Sequence, residues 1–232
     1  MKLNRKTFMW FLLRPFAWGE FAKMIKLAIT KRINPVETST NWCKQYAKRI
    51  EDVVITITGK YERIEIDNIH DAANGQLLYN IAEFICAKRI IETGVCRGAS
   101  SKVLLTSLQN RGGHLISTDI PIPQQWIEPG ELVPEPLRKN WHIINQPDST
   151  ALPKALKEMP EIDMCYYDSD KSYKGRMFGY DLLWHALRRD GIFVSDDIDD
   201  NNAFKDFCET INQKPLIAES GGRYVGVIIK KN

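Results

Sequence analysis

The sequence predicts an α/β protein: a doubly wound, mostly parallel seven-stranded sheet preceded by a helical N-terminal extension. Three observations carry that expectation. Short apolar runs alternate with segments of helical period from about residue 70 to the C-terminus. An acidic residue stands at or just after the end of each of the first five of those runs. The last two runs are joined by Glu219-Ser220-Gly221-Gly222, a tight loop that suits an antiparallel hairpin. The chain has 232 residues, 44% hydrophobic and 26% charged, which is enough for one sizeable core plus an appendage and makes disorder an unsuitable default.

Residues 1–60 are read as the extension and 61–232 as the domain. The extension opens with the apolar run Phe8–Leu13, continued by Phe16, Ala17 and Trp18 after Pro15 and bracketed by Lys2, Arg5, Lys6, Arg14, Lys23, Lys26, Lys31 and Arg32. Arg14 and Pro15 cut the run well short of the roughly 20 apolar residues that span a bilayer, and no small-residue cleavage site follows it. A basic, aromatic-rich segment over residues 1–32 suits an anionic membrane surface, an apolar substrate pocket, the body of the domain or a second subunit. The expected location is therefore the cytoplasm, with peripheral membrane contact and a homo-oligomer both left open. After the break at Asn34-Pro35, Val53–Thr58 reads as a strand.

Within the domain, His70–Ala87 carries Leu77, Leu78, Ile81, Ala82 and Ile85 at helical spacing. Strand Arg89–Glu92 follows, then a helix from Ala99 to about Leu108 and strand Leu115–Asp119. A long proline-rich connection, Pro121–Pro136, is either a binding lid or a solvated insertion. Next come strand Trp141–Ile144, helix Ala151–Glu158, strand Ile162–Tyr167, helix Tyr173–Arg188 and strand Ile192–Ser195. Helix Ala203–Ile211 and the pair Leu216–Ala218 and Tyr224–Ile229 close the chain.

Charge and cysteine usage narrow the partners. The net charge of +3 is mild, and no arginine stripe interleaved with aromatics appears, so nucleic acid is not expected. Cys43, Cys86, Cys96, Cys165 and Cys208 are odd in number and scattered, which reads as reduced, mostly buried thiols.

Arg89–Ser101 is the segment richest in chemistry. A short strand runs into Glu92 and a turn bearing Gly94 and Gly98 before a helix, so a bound molecule can approach the backbone while Glu92 offers an acceptor. The dinucleotide fingerprint requires G-x-G-x-x-G. Here the spacing is G-x-x-x-G behind an acid, which is similar to the first motif of class I S-adenosylmethionine (SAM) methyltransferases. Ligands of open α/β sheets bind outside the carboxyl ends of the strands. Asp119, with Ile120 beside it, is placed there to accept ribose hydroxyls or to cap a turn. Asp148 and Ser149 are placed to meet an adenine amino group or to cap the next helix. Asp168 and the pair Asp196-Asp197 end neighbouring strands, so three carboxylates can converge on a hard divalent ion, with Mg2+ the first choice. Lys171, three residues beyond Asp168, is the candidate base, or else an ordinary salt-bridged lysine.

These residues carry a resemblance that covers roughly residues 70–232. The chain resembles metal-dependent class I O-methyltransferases, both the catechol and caffeoyl-CoA group and the group acting on sugars of macrolide and aminocoumarin antibiotics. His70–Leu78, with Gly75 and Gln76, looks like the segment of the catechol type that lies against the cofactor. Glu92–Ser100 matches E-x-G-x-x-x-G-x-S, which implies that Gly94 and Ser100 hold the methionine portion of SAM. Asp168, Asp196 and Asp197 fall on the metal-ligand positions, and Lys171 falls on that of the base. Asp197 stands where the catechol group has Asn, so the likeness leans to the sugar group. That group more often has His at the place of Lys171. The resemblance implies SAM-dependent, Mg2+-assisted O-methylation of a small-molecule or sugar-type hydroxyl with two adjacent oxygens. Two alternatives stand beside it: a metal-independent class I methyltransferase acting on nitrogen or carboxylate, and a non-catalytic SAM-fold binding protein.

Overall fold

The computed structural model describes residues 39–65, 74–120 and 128–231, together with Ala22. The remaining expectations for residues 1–38, for His70–Ala73 and for Pro121–Ile127 lie outside the described residues. The elements are α1 (Thr40–Tyr46), β1 (Ala47–Arg49), α2 (Ile50–Thr58), α3 (Gly75–Phe84), β2 (Arg89–Thr93), α4 (Ala99–Leu108), β3 (His114–Thr118), α5 (Glu135–Arg138), β4 (Trp141–Ile144), α6 (Asp148–Glu158), β5 (Ile162–Tyr167), α7 (Tyr173–Ala186), β6 (Leu187–Ser195), α8 (Ala203–Thr210), β7 (Leu216–Ser220) and β8 (Arg223–Ile229). Among the described residues no helix is long and apolar enough to cross a membrane.

The strands form one sheet in the order β1-β7-β8-β6-β5-β2-β3-β4. All neighbours are parallel except β8, which runs antiparallel to both β6 and β7. The chain builds outward from β2 to β3 and β4, then returns to the other side of β2 with β5 and β6. Strand order therefore reverses between β2 and β5, and a crevice opens at their carboxyl ends. Every residue of β5 is buried, as expected of a central strand covered on both faces.

Alternation along the strands divides the core into two layers. Ile91, Cys165, Tyr167 and Phe193 face α6, α7 and α8, where Tyr180 packs edge to face on both Phe193 and Phe204, and Phe207 lies tilted against Phe193. Ile90, Met164, Tyr166 and Val194 face the other way, onto Val53, Val54, Leu77, Leu78 and Val103 of α2, α3 and α4. Tyr166 and Tyr167, adjacent in sequence, thus point to opposite layers.

Residues 39–65 correct one expectation and add a strand. Val53–Thr58 is helical, within α2, and not a strand. Its β-branched residues favour a strand locally, but Val53, Val54 and Ile57 recur at helical spacing and are buried as one stripe against α3 and β7. The extended piece here is instead Ala47–Arg49, which pairs in parallel with Ile217–Glu219 and gives the sheet an eighth strand. Residues 39–58 are thereby part of the sheet and its packing. All five cysteines are free; Cys43, Cys165 and Cys208 are buried, while Cys86 and Cys96 are exposed.

Candidate functional site

The turn after β2 is held by backbone contact. Gly94 has φ +84°, and a Cβ there would stand 2.5 Å from the carbonyl oxygen of Asp168. No side chain fits between the two strand ends. Gly98, at φ +88°, packs in the same way against the backbone of Gly130. The described part of the long connection is therefore seated on this turn: Gly130 N donates to Cys96 O, Leu132 N donates to Arg97 O, and Arg97 Nε meets Glu131 Oε1 at 2.5 Å.

Two of the expected cofactor acceptors are committed internally. Glu92 is fully buried and accepts from Ser100 Oγ (2.5 Å), Ser101 Oγ (2.5 Å) and Ser117 Oγ (2.7 Å). Burial pushes its pKa up to about 7 against the pull of those three hydroxyls. It orients Ser100, which lines the site, and does not itself face it. Asp148 lies at the start of α6, buried, where it accepts from Thr118 Oγ1 (3.1 Å), Tyr167 OH (3.4 Å) and Ser169 Oγ. Ser149 is exposed on that helix. Asp119 Oδ2 accepts from the amides of Val95 (3.1 Å) and Cys96 (2.7 Å), and the Ile120 amide also donates to this carboxylate. It ties β3 to the Gly94 turn, and burial raises its pKa. Gln76 is turned to Ile64, accepting from its amide at 3.1 Å and donating to its carbonyl at 2.7 Å, while Gly75 is buried in the first turn of α3.

The acids beyond β5 and β6 do converge. β5 and β6 pair in parallel with Tyr167 opposite Ser195, so the residues that follow them emerge side by side. Asp168, Asp196 and Asp197 each offer a carboxylate oxygen within 4.8 Å of the others. Lys171 Nζ bonds Asp168 Oδ1 and stands 3.2 Å from Asp197 Oδ2. Burial pushes the Asp168 carboxyl up to about 6, the Lys171 ammonium opposes the rise, and the Asp196 charge adds to it. Burial acts to lower the Lys171 pKa, yet its carboxylate neighbours outweigh it and hold the ammonium above the usual lysine value. Asp170, Asp199 and Asp200 bond Ser172 N, Thr40 Oγ1 and, at 3.8 Å, Arg176.

Three functional neighbours were not legible as such in the sequence. Asn74 is buried just before α3 and donates to Asp196 Oδ1 (2.8 Å) and Tyr166 OH (3.4 Å); Tyr166 in turn donates to Asp168 Oδ2 (3.3 Å). Arg176 on α7 is 1% exposed and donates to the carbonyls of Asp196 (2.9 Å) and Asp197 (2.8 Å). It fixes the backbone that carries the acidic pair, with Asp197 at φ +49°. An arginine at helical spacing with Tyr180 gave no sign that it would be buried.

Some of these groups line a cavity of about 310 Å³, whose walls include Asn74, Leu78, Gly94–Arg97, Ala99, Ser100, Tyr166, Asp168, Asp196 and Arg223. Its walls thus combine the Gly94 turn and Ser100 with the carboxylates of Asp168 and Asp196.

Comparison with known proteins fits this geometry. Residues 91–198 match the family model of a methyltransferase domain. The fold is shared with an O-methyltransferase from Bacillus cereus in complex with SAH (14% identity, TM-score 0.57, covering 88% of this chain and 96% of that one). It is shared also with an O-methyltransferase from Streptomyces achromogenes involved in tomaymycin synthesis, in complex with SAM (15%, 0.56, 81% and 98%). An SAH-bound methyltransferase from Podospora anserina aligns as well (14%, 0.52, 83% and 93%). No curated protein sequence matches the chain significantly.

Proposed function

Taking the methyltransferase domain as premise, we propose that this protein transfers the methyl group of SAM to a hydroxyl of a small molecule or sugar, with a divalent cation held by Asp168, Asp196 and Asp197. One observation carries the reading: three carboxylates from adjacent strand ends meet beside the cavity, and the single ammonium of Lys171 pairs with two of them, Asp168 and Asp197. Grouped carboxylates repel one another unless a cation compensates them, and an all-oxygen donor set suits Mg2+. A cation bound there would supply positive charge that favours an ionised acceptor hydroxyl.

The chain's own residues do the positioning. The Gly94 turn forms part of the cavity wall along which the donor would lie, and Ser100, held by Glu92, is the hydroxyl there for the methionine portion. Asn74 and Tyr166 fix the Asp196 and Asp168 side chains, and Arg176 fixes the loop that bears Asp197. SAM already carries an activated methyl, so alignment of sulfur, methyl and oxygen is the main task, and such alignment supplies roughly 7–11 kcal/mol of barrier reduction. Lys171 acts as base only when its ammonium has given up Asp168 and Asp197, which now keep it protonated. That same ion pairing favours the second reading, metal-independent transfer, because Lys171 already provides a counter-charge.

Labelled SAM, with catechol and a methyl glycoside as acceptors, tests the first reading. Turnover is expected to stop with EDTA and return with Mg2+. Asp197→Ala, which leaves no oxygen donor at that position, is expected to lose at least about a hundredfold in turnover, together with calorimetric Mg2+ binding, while SAH affinity stays within about threefold. Turnover indifferent to EDTA would instead establish the metal-independent reading.

A further inference from the structure

We propose that Arg223 binds an acidic group of the acceptor, so that the methylated compound carries a carboxylate, sulfate or phosphate besides its hydroxyl. This rests on reading the cavity as a methyl-transfer site. β8 begins at Arg223, opposite Ser220, and runs antiparallel to β6, so its first residues overhang the carboxyl ends of β6 and β5. The amide of Ile198 donates to Tyr224 O at 3.1 Å and fastens this stem to the segment that follows Asp196-Asp197. Alternation puts Arg223 on the face of Val225 and Val227, which is covered by Leu77 and Leu78 of α3. Arg223 thereby contributes to the wall of the cavity that Asn74, Asp168 and Asp196 also line.

The Gly94 turn follows β2, whereas Arg223 opens β8, and β5 and β6 lie between them. Three strand spacings put the two backbones roughly 14 Å apart, so the donor's turn and the guanidinium enter the shared cavity wall from different strands. Two cations line the cavity. Arg97 is ion-paired to Glu131, whereas the exposed side chain of Arg223 makes no ion pair or hydrogen bond with any described residue. A cavity rich in carboxylates repels an acidic acceptor, and a guanidinium with its fork unspent is the group that would admit one.

Calorimetry in the presence of SAH and Mg2+ tests this with two matched pairs: 3,4-dihydroxybenzoate against 3,4-dihydroxybenzyl alcohol, and glucuronate against glucose. The wild type is expected to prefer the acidic member of at least one pair by roughly tenfold or more. Arg223→Lys should keep part of that preference and Arg223→Ala should lose it, with SAH affinity within about threefold of wild type in both. Absence of any charge preference, or a preference that survives Arg223→Ala, overturns the assignment. A tenfold loss of SAH affinity in Arg223→Ala overturns it too, and would put the guanidinium on the cofactor's carboxylate. Failure of the wild type to bind SAH at all would sink the methyl-transfer reading instead, so the two failures are separable.

Discussion

Glu92 ends a strand whose neighbours leave it no water, and three serine hydroxyls stand in for the lost solvent. They compensate only in part, since its pKa is pushed from the ordinary 4.5 up to about 7. Between those values the folded protein holds a proton that the unfolded chain releases. The stability tied to this group is fully present below about pH 4.5 and is lost as pH rises through about 7. Glu92→Gln removes the titration while keeping an oxygen for the serines. Urea unfolding from pH 4.5 to 7.5 is expected to give a flatter profile for the variant, with a difference on the order of 3 kcal/mol across the window. Asp168 titrates in the same direction in both proteins, so its contribution largely cancels and the difference is dominated by Glu92. Parallel profiles would show that Glu92 is ionised in the folded state.

Between elements, Asp163 at the start of β5 fastens three strand starts together. Its Oδ2 accepts from the amides of Lys88 (2.9 Å) and Arg89 (2.8 Å), and its Oδ1 from Arg89 Nη2 (3.0 Å) and Arg188 Nε (2.7 Å). Burial works against ionisation, but Arg89, the Lys88 amide and Arg188 outweigh it and hold the carboxyl at about 2. The sign is opposite to that of Glu92: this contribution is present above the ordinary 3.8 and is lost as pH falls towards 2. Asp163→Asn is expected to cost about 2–3 kcal/mol at neutral pH. Denaturant titrations should show the two stabilities converging between pH 4 and 2; a constant gap would mean that the carboxylate charge contributes nothing. This clamp lies at the amino ends of the strands, opposite the cavity, so the variant should keep its affinity for SAH. The α2 segment shows tertiary packing at the same scale. Its β-branched residues prefer a strand, yet burial of Val53, Val54 and Ile57 against α3 and β7 outweighs a preference worth only tenths of a kcal/mol per residue.

At the scale of the whole molecule, the crevice exists because strand order reverses between β2 and β5, and a ligand seated there ties both halves of the sheet. SAH at about a hundred times its Kd is expected to add about 2.7 kcal/mol to the unfolding free energy, a rise in Tm of roughly 5–10 °C for a chain of this size. A thermal-shift measurement should find the rise in the wild type and in Asp197→Ala alike; no shift in the wild type would count against a SAM site in this crevice. The sequence by itself determined the alternation of strands and helices, the Gly94 turn behind Glu92 and the acids at the strand ends, because periodicity and turn chemistry are local properties. Only the tertiary structure decided which acids remain open. Glu92 and Asp148 look no different in sequence from Asp168 and Asp196, but hydroxyls brought from Ser101, Ser117, Thr118 and Ser169 absorb the first two. The parallel pairing of β5 with β6 sets Asp168 beside the Asp196-Asp197 pair. Asn74, Arg176 and Arg223 take their roles from elements distant in sequence, since a hydrogen bond depends on what the fold brings within 3 Å and not on which residue comes next.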